Sequence, residues 1–120
     1  MAEPRLTPVL ALDYLDELST DIRGGALLGS DGRVLAAWHG DAERADRLRG
    51  PLLELLERAD AAAGESAPAA QVEVTTPRGA VFCARDDDHT LAVVTGRFAL
   101  PSLMFYDLRH VLDDLRAPSS

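Results

Sequence analysis

The residues able to do chemistry are few: one cysteine, Cys83, three histidines, His39, His89 and His110, and an acidic run, Asp86-Asp87-Asp88, leading into His89. A thiol beside an imidazole would be a nucleophile with its base, and carboxylates beside a histidine would be metal ligands. Neither pattern is completed. The histidines fall at the end of one expected strand, at the start of another and on the last helix, with no His-x-x-x-His or Cys-x-x-Cys spacing. Cys83 stands between Phe82 and Ala84 in an apolar run, where cysteine acts as a small buried hydrophobe. A reactive thiol needs an open, electropositive setting instead. Asp86 to Asp88 suits a solvated hairpin turn, because aspartate accepts turn geometry. Gly24-Gly25 and Gly29-Ser30-Asp31-Gly32 miss the P-loop pattern, and the second precedes a strand rather than a phosphate-binding helix. The sequence is therefore read as carrying no catalytic residue, no metal site and no cofactor.

Composition narrows the partners. The formal net charge is −8, and all twelve basic residues are arginines. An acidic chain without a basic stripe is poorly suited to nucleic acid, whose binding rests on phosphate neutralisation, and acidic lipid leaflets would repel it. The longest apolar runs, Ala80 to Ala84 and Leu91 to Val94, are too short for membrane insertion. Met1-Ala2-Glu3-Pro4 has neither a basic segment nor a long apolar one of the signal-peptide kind, and a lone cysteine favours a reducing compartment. The expected location is cytoplasmic. At 120 residues and 47% hydrophobic content, one domain over 1–120 is expected, with its core at about 7–116.

The elements that must position these residues follow from the hydrophobic period. Thr7-Pro8 is a helix N-cap with proline at the first helical position. Val9, Leu12, Leu15, Leu18 and Ile22 then recur at helical spacing, and Arg23-Gly24-Gly25 is expected to end that helix. Ala26 to Gly29 and Val34 to His39 flank an Asp31-Gly32 hairpin turn, with Val34, Ala36 and Trp38 expected on one face. Whether Trp38 is an exposed anchor or a core residue is left open by the sequence. Gly40-Asp41 opens a long helical pattern with a stripe of Ala45, Leu48, Leu52, Leu55, Leu56, Ala59 and Ala63, in which Gly50-Pro51 predicts a kink rather than two helices. Ala61 to Ala70 reads as a loop. Gln71 to Thr76 alternates cleanly, and with Ala80 to Arg85 and Thr90 to Gly96 predicts an antiparallel meander. A last helix opens at Leu100-Pro101, with Met104, Leu108, Val111 and Leu115 inward, widened by Phe105 and Leu112, and Ala117-Pro118 ends it.

Two features favour association. The strand with Val72 and Val74 follows a long loop and suits a sheet edge that pairs with another chain. The middle helix offers more leucine than one sheet needs, so Leu48, Leu52, Leu55 and Leu56 are candidate dimer-interface residues together with Val72 and Val74. Arg44, Arg47 and Arg49 on the same helix are candidate partner-binding residues. A homodimer is the expected assembly.

The order α-ββ-α-βββ-α, with Gly25-Ala-Leu-Leu-Gly-Ser-Asp-Gly-Arg-Val-Leu-Ala-Ala36 as its first hairpin and Val93-Val94-Thr95-Gly96 before Pro101, resembles the roadblock family of dynein light chains and bacterial GTPase partners, from about Thr7 to Leu115. The resemblance implies an α+β fold: a five-stranded antiparallel sheet with the long helix on one face and the terminal helices on the other. It also implies dimers joined through Ala42 to Ala63 and Gln71 to Thr76, with Gly50-Pro51 a departure from an uninterrupted middle helix. The implied function is a non-enzymatic regulator or scaffold of a small Ras-like GTPase. An arginine finger from Arg44, Arg47 or Arg49 is chemically conceivable, though ordinary surface charge accounts for all three. The alternative is a small-ligand sensor of profilin-, longin- or PAS-like fold.

Overall fold

A computed structural model describes residues 7–19, 21–64 and 70–115. Helix α1 (Pro8–Leu18) leads into strands β1 (Ile22–Gly29) and β2 (Val34–Ala37), a short 3-10 turn at Trp38–Gly40, and helix α2 (Ala42–Ala63). Strands β3 (Gln71–Thr76), β4 (Gly79–Arg85) and β5 (His89–Thr95) precede helix α3 (Pro101–Leu115). The strands form one antiparallel five-stranded sheet in the order β2-β1-β5-β4-β3. The meander is as the sequence predicts, and β3 lies at an edge.

Register decides what each face carries, since residues paired across antiparallel strands point to the same side. Leu27, Leu91 and Ala84 align, as do Val93 and Phe82, and α1 and α3 cover this face. Phe82 meets Phe105 of α3 edge to face, with centroids 5.4 Å apart. The opposite face carries Ala26, Ala92 and Cys83, on which α2 rests through Ala45, Leu52 and Leu56.

Local chemistry sets the boundaries. Thr7 Oγ1 accepts from the Leu10 N–H at 3.3 Å, the expected cap. The hairpin closes where expected: Gly32 takes a φ of 81°, the left-handed region that Asp-Gly turns require, and Asp31 Oδ1 accepts from the Arg33 N–H at 3.0 Å. Asp41 caps α2 by accepting from the Arg44 N–H at 3.1 Å. α3 buries Met104, Leu108, Val111, Leu112 and Leu115, the expected stripe.

Four expectations need correction. Ile22 and Gly24-Gly25 do not belong to α1 or its terminus, because α1 stops at Leu18 and β1 begins at Ile22. The glycines are there for close approach: a Cβ on Gly25 would lie 2.8 Å from the Ala92 carbonyl oxygen, and one on Gly24 would lie 2.9 Å from the Arg44 guanidinium carbon. Val9 and Leu18 accordingly stay exposed while Ala11, Leu12 and Leu15 enter the core. Val34 does not share a face with Ala36 and Trp38. Leu27 pairs with Ala36 but Leu28 with Val34, so Leu35 is bulged out and the alternation flips across it. Val34 packs on the α2 side, and Ala36 and Trp38 on the other. Trp38 is 5% exposed, a core residue. The strand also ends at Ala37, with His39 in the 3-10 turn at a φ of 52°. Finally, Ala61–Ala63 are helical, so the loop starts later than expected; 65–69 lie outside the described residues, as do 1–6 and the helix stop at Ala117-Pro118. α2 runs unbroken through Pro51 as one helix.

Candidate functional site: the half-covered face beside the third strand

α2 covers only part of its face of the sheet. The row it covers pairs Val72 with Cys83, Cys83 with Ala92 and Ala92 with Ala26, and these small residues let the helix approach. The next row pairs Val74 with Val81, Val81 with Val94 and Val94 with Gly24. Val74, Val81 and Val94 are all half-buried, and none joins either core cluster among the described residues. An apolar strip therefore runs from the β3 edge inward and ends below the Arg44 guanidinium, which packs against Gly24.

The nominated leucines separate around this strip. Leu52 and Leu56 are 2% and 5% exposed and face the chain's own sheet, so they have little surface left for a partner. Leu48 is half-buried against the same cluster, as is Val72. Leu55 is half-buried and belongs to neither cluster, so it shares the free side of α2. On β3, Gln71, Glu73 and Thr75 present a polar opposite face, leaving Val72 and Val74 as the strand's apolar side.

The arginines differ in the same way. Arg49 is half-buried, and its Nε donates to the Gly32 carbonyl at 2.6 Å, which ties α2 to the first hairpin. Arg44 and Arg47 are exposed. Arg85 of β4 pairs with Asp60 and fixes the other end of α2, a link not anticipated from sequence. Val81 and Val94 were also not anticipated; their strand alternation was visible, but cross-strand register was needed to set them beside Val74.

The chemically capable residues take other places. Cys83 is 1% exposed, and burial pushes its thiol up to about 12, against a smaller opposing pull from Arg85. At neutral pH it is a protonated core residue, unsuited to nucleophilic attack. His39 stacks on Trp38 and meets Asp16 of α1 at 2.9 Å. His110 lies 3.4 Å from the Tyr14 hydroxyl. Asp86 Oδ1 accepts from the Asp88 and His89 N–H groups at 2.9 and 2.8 Å, closing the β4–β5 hairpin. Among the described residues no three His, Cys, Asp or Glu side chains gather as a metal-binding group, and no helix is long and apolar enough to cross a membrane.

This architecture defines a class. The chain has the roadblock fold: it superposes on the Roadblock/LC7 domain from Streptomyces avermitilis with a TM-score of 0.78 at 23% identity, covering 88% of this chain and 92% of that one. It is also similar to MglB from Myxococcus xanthus (TM-score 0.73, 12% identity, 88% of each chain) and to the gliding protein MglB from Thermus thermophilus (TM-score 0.73, 16% identity, 88% and 82%). No family model and no curated protein matches the sequence.

Proposed function

We propose that this protein is a non-enzymatic, dimeric regulator or scaffold of a small Ras-like GTPase in the cytoplasm. The observation that supports it most is the position of β3 at the edge of the sheet, flanked by the strip Val74-Val81-Val94, within a fold of the roadblock type. An edge strand with unpaired backbone groups and an apolar side invites strand addition by a second copy. A two-fold axis beside β3 makes the two copies antiparallel, extends one sheet into the next and brings Leu55 and Leu48 of the two α2 helices together. Leu52 and Leu56 serve that interface by holding α2 in place.

The doubled surface then offers the GTPase a rigid face bordered by Arg44 and Arg47. A regulator of this type acts by contacting one switch conformation better than the other, and it shifts the equilibrium by that difference in affinity alone. Arg49 is occupied by the Gly32 carbonyl and supports the hairpin, so it is not assigned to the partner.

The test uses the purified protein as bait in native cell extract with GDP or a non-hydrolysable GTP analogue, and mass spectrometry of what is retained. A small GTPase retained preferentially with one nucleotide supports the reading and gives the sign of the coupling. A folded dimer that retains no GTPase with either nucleotide, but gains melting temperature with a small metabolite, would instead support a ligand sensor.

A further inference from the structure

The strongest unassigned feature lies on the other helical layer, at the end of the molecule where α1 stops and α3 starts. Leu18, Phe98, Leu100, Leu103 and Met104 line an open groove there with Asp21 and Asp107. Phe98 is 88% exposed, Leu100 64% and Leu103 56%, a concentration of large apolar side chains that the core does not use. Leu100, Leu103 and Asp107 follow one another at spacings of three and four along and just before α3, so they share one side of the helix.

Asp107 is out of place on that side. It is 9% exposed and has no hydrogen bond or ion pair among the described residues. Burial raises the pKa of its carboxyl, with His110 one turn on pulling the other way. It lies beyond the first turn of α3, the only part of the helix where the dipole would compensate a carboxylate. The Asp107 carboxylate lines the open groove, where it can accept a charge-assisted hydrogen bond from a cation brought by a partner. Asp21 at the other side of the groove accepts from the Phe98 N–H at 3.2 Å, which ties the start of β1 to the β5–α3 turn. The groove thus combines apolar walls, the two carboxylates of Asp21 and Asp107, and, among the described residues, no basic side chain in its lining.

We propose that this groove is a docking site for a short segment of a partner protein that carries a large apolar residue next to an arginine or lysine. The apolar side chain covers Leu18, Leu100 and Leu103, and the cation reaches Asp107. The net charge of −8 favours approach of such a segment. This surface lies on the α1–α3 layer, away from α2 and β3, so the proposal stands whether or not the protein binds a GTPase.

A displayed library of random twelve-residue peptides is selected on the full chain, and recovered peptides are measured by fluorescence anisotropy. The expected result is a consensus pairing Leu or Phe with Arg or Lys. Affinity should fall by at least about tenfold for Leu103→Glu and for Asp107→Asn, with no change for Leu35→Glu on the far edge. Both groove variants alter residues outside the hydrophobic core clusters, and circular dichroism confirms that they fold. No consensus, a consensus without a basic residue, or binding indifferent to Asp107→Asn would overturn the proposal.

Discussion

Cys83 illustrates how burial alone assigns a residue. The thiol is protonated in the folded chain up to about pH 12, whereas an unfolded thiol ionises near its ordinary value of 9.0. Above that value the unfolded state holds fewer protons, so stability falls as pH rises between the two. Cys83→Ala should therefore lose less stability than wild type as pH rises from 9.0 toward about 12 in urea unfolding. A thiol reagent should label wild type only as fast as the chain opens, and rapid labelling of the native protein would show that the thiol is accessible. Gly25 is the counterpart with no side chain. Any Cβ there meets the Ala92 carbonyl oxygen at 2.8 Å, against the backbone across the β1–β5 pairing. Gly25→Ala should cost about 2–4 kcal/mol, read as a drop in urea midpoint at unchanged slope.

At the scale of elements, α2 carries a residue its own geometry opposes. Pro51 is exposed, lacks an N–H for the Arg47 carbonyl, and sits inside an unbroken helix. Pro51→Ala should stabilise the chain by about 1–3 kcal/mol, a rise of several degrees in melting temperature. A fall would mean that the proline shapes the packing of Leu52 and Leu56. The elements also explain what the sequence could and could not reveal. Stripes such as Met104-Leu108-Val111-Leu115, and the alternation of Val72 and Val74, follow from periodicity and were legible. The α1–β1 junction was not, because Ile22 continues the helical spacing of Leu15 and Leu18, and paired glycines look the same whether they end a helix or admit a neighbouring strand. The bulge at Leu35 was hidden for a similar reason. A continuous Val-Leu-Ala-Ala run has no gap to mark where the face changes, and only the pairing partner Leu27-Leu28 reveals it. The candidate site was half legible: its strand and helix were visible in the pattern, but the division of the leucines into core and free side depends on the rotation of α2 over the sheet.

At the scale of the molecule, the two faces of the sheet are finished to different degrees. The α1–α3 face buries Leu27, Phe82, Leu91 and Val93 completely, while the α2 face leaves Val74, Val81 and Val94 half-covered next to the β3 edge. A sheet so constructed either finds a second copy or risks uncontrolled pairing, and natural edges guard against the latter with an inward lysine, a proline or a bulge. β2, the opposite edge, has such a bulge at Leu35; β3 is regular over all six residues and has none of these guards. That asymmetry locates the proposed dimer. Val74→Lys places a charge where the second copy would cover it, so the dimer should weaken by about a hundredfold or more while the isolated fold keeps its circular dichroism spectrum. Leu35→Lys, an equal change at the other edge, should leave the sedimentation coefficient of the dimer unaltered. Equal loss from both variants would place the association elsewhere, and a wild-type chain that sediments as a monomer at all accessible concentrations would remove it.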